Sequence, residues 1–295
     1  MGTSQVAQSS LPISVIIPTH DRTDLLDRAL QSVLVQTLQP LEIIVVDDLN
    51  SPAVRTLVEN VAATSPVTFH YVDASGLPKK SAGASRNAGV ATAAYPLLAF
   101  LDDDDYWFPT YLERCAAANV ETGAELILAG ASNSIDGRLS PGSSPSMKAF
   151  RGFHPGMTGS NMVITRVAFD RVSGFDPNMW VMNDTDLFLR LRDANTTMAA
   201  VTDRLVVHEG RGVGHLSSRS ERRAVGLETF LKKHESTLNF AARRSVKRRI
   251  HRSRTGPEHS KAQRIFHSVA LFFYTRPSGI YHTTKRRLLL RKPMH

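Results

Sequence analysis

A chain of 295 residues, 42% hydrophobic and 21% charged, can bury a sizeable core and has the make-up of an ordinary globular protein. Its one cysteine, Cys115, excludes an internal disulfide and fits a reducing compartment. The net charge of +9 is uneven: residues 241–295 hold 15 Lys and Arg against the single acid Glu258, whereas the residues before them carry an acidic excess.

Residues 1–11 read as a disordered N-terminus, without the basic start and apolar run of a secretory leader. The first third of the chain alternates β-branched runs with helical periodicity, as a mostly parallel α/β sheet flanked by helices requires. ISVIIP is the first strand. TDLLDRALQSVLVQT is a helix, with Leu26, Ala29, Leu30, Val33 and Leu34 on one face and Thr23 or Asp24 as its cap. LEIIVVDD and TFHYVD are strands around the helix VRTLVENVAA; the small-residue helix GASRNAGVATAA leads into the strand PLLAFL. Further on, PTYLERCAAANVETG reads as a helix, AELILAG as a strand, and the Ser-, Gly- and Pro-rich residues 132–150 as a mobile loop. NMVITRVAFDRVSGFD returns to strand and helix, and DTDLFLRLRDAN is a short amphipathic helix. From about Ala241 the composition turns basic, which suits a helical extension.

In an open parallel sheet, ligands bind outside the carboxyl ends of the strands. Thr19, His20 and Asp21 follow the first strand, Asp47 and Asp48 the second, and Asp102, Asp103, Asp104 and Asp105 the fourth. Adjacent unit charges ~4 Å apart repel by about 4 kcal/mol at a protein-like effective dielectric. Either these carboxylates fan into water or something positive sits among them. A hard divalent cation with a substrate diphosphate would serve, because Mg²⁺ and its like take oxygen ligands. A flexible acidic turn is the plain alternative.

The stretches SVIIPTHDRTDLLDRALQSVLVQTLQPLEIIVVDD, GASRNAGVATAAYPLLAFLDDDDYWFP and GFDPNMWVMNDTDLFLRLRD, in that order and spacing over residues 12–235, resemble the family 2 glycosyltransferases of the GT-A fold. The resemblance implies a domain at 12–240, with a nucleotide-sugar-binding half at 12–130 and an acceptor-binding half at 150–240. It also implies inverting, Mn²⁺- or Mg²⁺-dependent transfer of a hexosyl or N-acetylhexosaminyl group to a hydroxyl. IPTHDR matches the motif IPTYNR, so Pro18, Thr19, His20 and Arg22 fall at the donor nucleotide, with His20 in the place of the usual aromatic. Asp48, Arg86, Asn87, Asp102 and Asp103 join them; helix capping or plain solvation is the other reading of Asp103 and Asp105. LDDDDYWFP matches LDxDDxWxP, which makes Asp104, with Asp102, the expected metal ligand. NDTD matches EDxD and makes Asp184 the expected general base; Asn183, where the family usually has Glu, and Trp180 fall at the acceptor. His208 and His215 are both candidates for the late histidine that GT-A enzymes bring to metal or diphosphate.

A UDP-sugar is the expected donor, and a glycan or lipid-linked alcohol of cell-surface synthesis the expected acceptor. The expected location is cytoplasmic, with the basic tail holding the chain at an anionic inner membrane face. No nucleic acid is expected, because the tail has neither zinc-ligand spacing nor an RNA-binding motif. A solvated tail without a partner, a protein that binds nucleic acid or membrane through that tail, and a catalytically silent binding module suggested by His20 and Asn183 are the other readings.

Overall fold

A computed structural model describes residues 12–135, 137–209 and 219–274. The chain divides into two compact units, Met1–Arg211 and Gly212–His295. The first 11 residues and His215 lie outside the described residues.

The first unit opens with strand β1 (Ile13–Thr19), helix α1 (Thr23–Leu34), β2 (Glu42–Asp47), α2 (Pro52–Ala63), β3 (Thr68–Asp73), α3 (Ala82–Thr92) and β4 (Leu97–Phe100). Every residue of β1, β2 and β4 is buried, as near-continuous apolar strands covered on both faces must be. β3 is partly exposed and ends the sheet order β3-β2-β1-β4. All pairings among these four strands are parallel. α1 buries Leu26, Ala29, Leu30 and Val33, the stripe expected from its periodicity.

The rest of the unit is β5 (Tyr106–Trp107), α4 (Tyr111–Thr122), β6 (Leu126–Ile135), β7 (Arg138–Pro141), β8 (Met162–Thr165), α5 (Arg166–Arg171), α6 (Asn183–Asp193) and β9 (Met198–Glu209). Here the sheet becomes mixed: β8 runs antiparallel between β4 and β6, β9 pairs parallel with β6, and β5 closes the far side against β9. The loop expected at 132–150 is a hairpin at its start. β6 continues to Ile135, and β7 folds back on it after Gly137, whose φ of +77° suits a residue without Cβ. The core between sheet and helices gathers Ile17, Leu30, Val45, Ala99, Leu112 and Ile127.

Small residues let α3 lie close on the sheet. A Cβ on Gly89 would stand 2.5 Å from Ile16 Cγ2 and 2.9 Å from Val46 Cγ2. Gly89→Ala is therefore expected to destabilise the protein by ~1–3 kcal/mol, read from urea unfolding, because both neighbours are held in the sheet.

The second unit contains α7 (Glu221–Lys233), α8 (Phe240–Ser253) and α9 (Lys261–Tyr274). Ala224, Leu227 and Phe230 of α7 are buried, as are Ala242, Val246 and Ile250 of α8, and Arg254 pairs with Glu221 and Glu228. These contacts put α7 with α8 and α9 in the second compact unit. Among the described residues no helix is long and apolar enough to cross a membrane.

Candidate active site

Parallel pairing sets Thr19 opposite Asp47, so β1 and β2 end together, while Leu101 N–H bonds Ile16 C=O as the chain leaves β4. The polar residues that follow all fall at one edge of the sheet. Asp47 is spent on the architecture: it is buried and accepts bonds from the N–H of Leu49 (2.9 Å) and Ser51 (2.7 Å) and from the Tyr71 hydroxyl (2.8 Å). Those bonds hold the turn that presents its neighbour Asp48, whose Oδ1 lies 2.6 Å from His20 Nδ1. His20 itself is largely exposed.

The four consecutive aspartates split by direction. Asp103 and Asp105 are buried, neither capping a helix nor solvated; Asp102 and Asp104 are partly exposed. Asp103 accepts from the Thr19 hydroxyl (2.8 Å), from His20 N–H (3.4 Å), and from Arg22 through Nε (3.2 Å) and Nη2 (2.6 Å). Arg22 also reaches Asp104 at 3.1 Å. It is the residue that precedes α1, yet its side chain caps nothing, and neither Thr23 nor Asp24 takes the cap position. The guanidinium is committed to the aspartates instead. Asp105 accepts from Ser160 Oγ (2.5 Å) and Glu209 N–H (3.2 Å) and meets His208 Nδ1 at 2.7 Å. His208 Nε2 lies 3.3 Å from Thr158 Oγ1. Asp102 pairs with Arg86. Arg28 of α1 donates to the Asp104 carbonyl (2.8 Å) and pairs with Glu209.

So cations do sit among the carboxylates: Arg22 at the entry of α1, Arg28 within it and Arg86 on α3. The balance is incomplete. Burial, followed by the charges of Asp102 and Asp105, lifts the Asp104 carboxyl to about 6 against the pull of Arg22. Burial does the same for Asp103, also to about 6. Burial opposes the charged form of His208, but the bond and charge of Asp105, helped by Asp102 and Asp104, hold it above its ordinary value.

These shifts fix the sign of a pH effect. A carboxyl raised on folding stabilises the native state fully below its unfolded pKa of about 3.9, and that contribution is lost as pH rises through about 6. Asp104→Asn is thus expected to stabilise the metal-free protein at pH 8 by ~1–3 kcal/mol. Chemical unfolding across pH should show the gain shrinking toward pH 5.

Arg86 is only 3% exposed, and its Nε and Nη1 have no hydrogen-bond partner among the described residues. An unsatisfied buried guanidinium is costly, so groups held this way point to something that completes them. Gly159 makes room for this pair: a Cβ there would fall 2.8 Å from both Arg86 Cζ and Asp102 Oδ1. One oxygen each from Asp102, Asp104 and Asp105 lies within 4.8 Å of the others, and such an all-oxygen set suits Mg²⁺ or Mn²⁺.

Two expected site residues stand elsewhere. Asn87 does not open toward the aspartates: its amide is used at both ends on Phe175, donating to C=O (2.7 Å) and accepting from N–H (2.9 Å). Pro18 is inside the buried strand β1. α3 also carries the link to the start of α6. A Cβ on Gly83 would stand 3.1 Å from Phe175 Cβ and 3.7 Å from Asn183 Nδ2, and Ser81 Oγ donates to Pro177 C=O at 3.3 Å. Asn183 and Asp184 form the first turn of α6 behind Met182, whose φ is +60°. Asp184 Oδ1 accepts from Thr185 N–H at 2.7 Å, and its side chain is half-buried, as is Trp180. Asp186, buried, takes Arg190 in a two-pronged pair, whereas among the described residues no cation pairs with Asp184.

Arg28, Thr158 and Ser160 are parts of the site that no sequence motif singles out for these contacts. Arg28 has the appearance of an ordinary helix surface cation, and Thr158 and Ser160 follow a stretch read as loop.

Comparison with known proteins is consistent across sequence and fold. The profile described as Glycosyl transferase family 2 matches residues 14–175, more than half of the chain. The uncharacterized glycosyltransferase YwdF of Bacillus subtilis is 28% identical over 193 residues, 61% of this chain and 68% of that protein. A validoxylamine A glucosyltransferase of Streptomyces hygroscopicus is 33% identical over 135 residues, 45% of this chain and 31% of that protein. An uncharacterized glycosyltransferase of Nostoc is 35% identical over 104 residues, and the chain spans about a third of the length of these last two relatives. Among solved structures, S. aureus TarS in complex with UDP-GlcNAc superposes with a TM-score of 0.61 at 18% identity, covering 81% of this chain and 70% of that one. The Pyrobaculum calidifontis mannosyltransferase in complex with GDP-Man and Mn²⁺ gives 0.62 at 16% identity, covering 95% and 81%. With the expected motifs on the expected strands, a GT-A sheet and a family profile across most of that sheet, the chain belongs to glycosyl transferase family 2.

Proposed function

We propose that the protein transfers a hexosyl or N-acetylhexosaminyl group, with inversion, from a nucleoside-diphosphate sugar to a hydroxyl acceptor. The observation that carries this reading is Arg86: a buried guanidinium with unsatisfied N–H groups, beside a carboxylate set fit for a hard cation, at the carboxyl edge of the sheet. A donor diphosphate with its cation supplies charges of both signs to that place.

Asp104, Asp102 and Asp105 would hold Mn²⁺ or Mg²⁺, which when bound neutralises charge on the departing diphosphate. Asp105 also orients His208 through Nδ1, so the imidazole presents Nε2 beside Thr158. Arg86 offers its remaining N–H groups to phosphate oxygens as negative charge builds there. Asp48 accepts from the nucleobase while His20, tied to Asp48, stacks beside it. Across the sugar, Asp184 takes the proton of the acceptor hydroxyl. That oxygen bonds the anomeric carbon as the carbon–phosphate-oxygen bond breaks, and the electron pair leaves on the nucleoside diphosphate. Trp180 gives the acceptor an apolar face and Asn183 a hydrogen-bonding edge. A relative from Campylobacter jejuni acts on an undecaprenol-linked glycan by its name, which supports a lipid-linked acceptor of cell-surface synthesis.

The test is mass spectrometry of UDP-, GDP- and dTDP-sugars incubated with the protein, with and without Mn²⁺. The expected result is cation-dependent release of one nucleoside diphosphate through slow hydrolysis. Intact donors throughout, with none bound, would contradict the reading.

A further inference from the structure

In the second unit, α9 packs one side on α8 and leaves large apolar side chains exposed. Its packed side carries His267 and Tyr274, which meet α8: His267 Nδ1 lies 2.9 Å from His251 Nδ1, and Tyr274 stacks on the His251 ring at 5.3 Å. The opposite side carries Ile265, Phe266 and Val269, each more than half exposed, with Phe272 exposed beyond them. Ile265 and Val269, four residues apart, share one helix face with Phe266 beside them, so these apolar groups form a row. Exposed Lys261 and Arg264 flank that row. Lys247, Arg248 and Arg252 are exposed on α8.

We propose that α8 and α9 dock the protein on an anionic lipid surface, with α9 lying in the interface plane and its Ile265–Phe266–Val269 row among the acyl chains. Two independent features select this occupant. The charge is one-sided: residues 241–295 carry 15 basic residues against one acid, which draws the unit to a negative leaflet. The apolar row then has a destination that a phosphate backbone would not provide. The 14 described residues of α9 are about 21 Å long, which suits lying flat in the interface. Each base near such a surface contributes ~1 kcal/mol, or about fivefold in partitioning. The proposal stands apart from sugar transfer, since its readout is binding.

The test is flotation of the full chain with vesicles of phosphatidylcholine alone or mixed with phosphatidylglycerol, at low and high salt. Expected is recovery with the anionic vesicles only, falling with salt. Ile265→Ser/Phe266→Ser/Val269→Ser should weaken it by tenfold or more, and so should Lys247→Glu/Arg248→Glu/Arg252→Glu. Phe266→Trp keeps the surface apolar, and its emission should shift to the blue on anionic vesicles. Equal recovery on neutral vesicles, unchanged binding by the serine variant, or bound Phe266→Trp protein without a blue shift would overturn the proposal. So would release from the vesicles by RNA of equal phosphate concentration.

Discussion

Asp184→Asn is expected to lower the transfer rate by about 10²–10⁴-fold while nucleotide affinity stays unchanged. The amide keeps the size of the side chain and an oxygen that can still accept from Thr185 N–H, so α6 keeps its first turn. It cannot take a proton from an alcohol. Asp186 cannot stand in, because it is buried and held by Arg190. Single-turnover transfer measured beside equilibrium binding of the nucleotide separates the two effects. Equal loss of both would place Asp184 in the framework of the site, and an unchanged rate would remove it from the chemistry.

The second large effect is expected at a residue with no side chain. Gly159→Ala would drive a methyl group into Arg86 and the carboxylate of Asp102. Arg86 cannot swing away, since it is buried and its ring neighbour Phe175 lies 5.2 Å from the guanidinium. Either the pair separates or the 158–160 turn shifts, and that turn also carries Ser160, the hydrogen-bond donor to Asp105. Loss of one charge-assisted bond is worth ~1.5–3 kcal/mol, so nucleotide binding should weaken by roughly 10- to 150-fold. Titration calorimetry with nucleoside diphosphate and Mn²⁺ reads it. Near-normal affinity would mean that Arg86 and Asp102 are not part of the donor site.

The parallel half of the fold was legible because its physics is local. Buried strands such as IIVVD and the apolar stripe of α1 announce themselves within a dozen residues. The mixed half was less so. β6 runs on through Ser132, Asn133 and Ser134, whose polar side chains read as loop but whose backbone pairs with β7 on one side and β9 on the other. The aspartates were visible as a cluster, but their division of labour was not. Asp103 and Asp105 turn inward because their partners arrive from Thr19, Arg22, Ser160 and His208, more than 50 residues away in the chain. Arg22 likewise resembles a nucleotide contact in the motif, whereas its guanidinium spans Asp103 and Asp104. Spacing along the sequence carries no trace of such pairings.

The most direct measurement is the thermal stability of the chain with UDP, GDP and dTDP, each with and without Mn²⁺, set against Asp102→Asn/Asp104→Asn. The wild-type protein should be stabilised by one nucleotide together with the cation by far more than by either alone, ~2.7 kcal/mol at a hundredfold excess over Kd. The double variant should lose that joint effect. A wild-type shift that the double variant reproduces, or no shift with any nucleotide, would contradict a carboxylate-held cation bridging a donor diphosphate at this edge of the sheet.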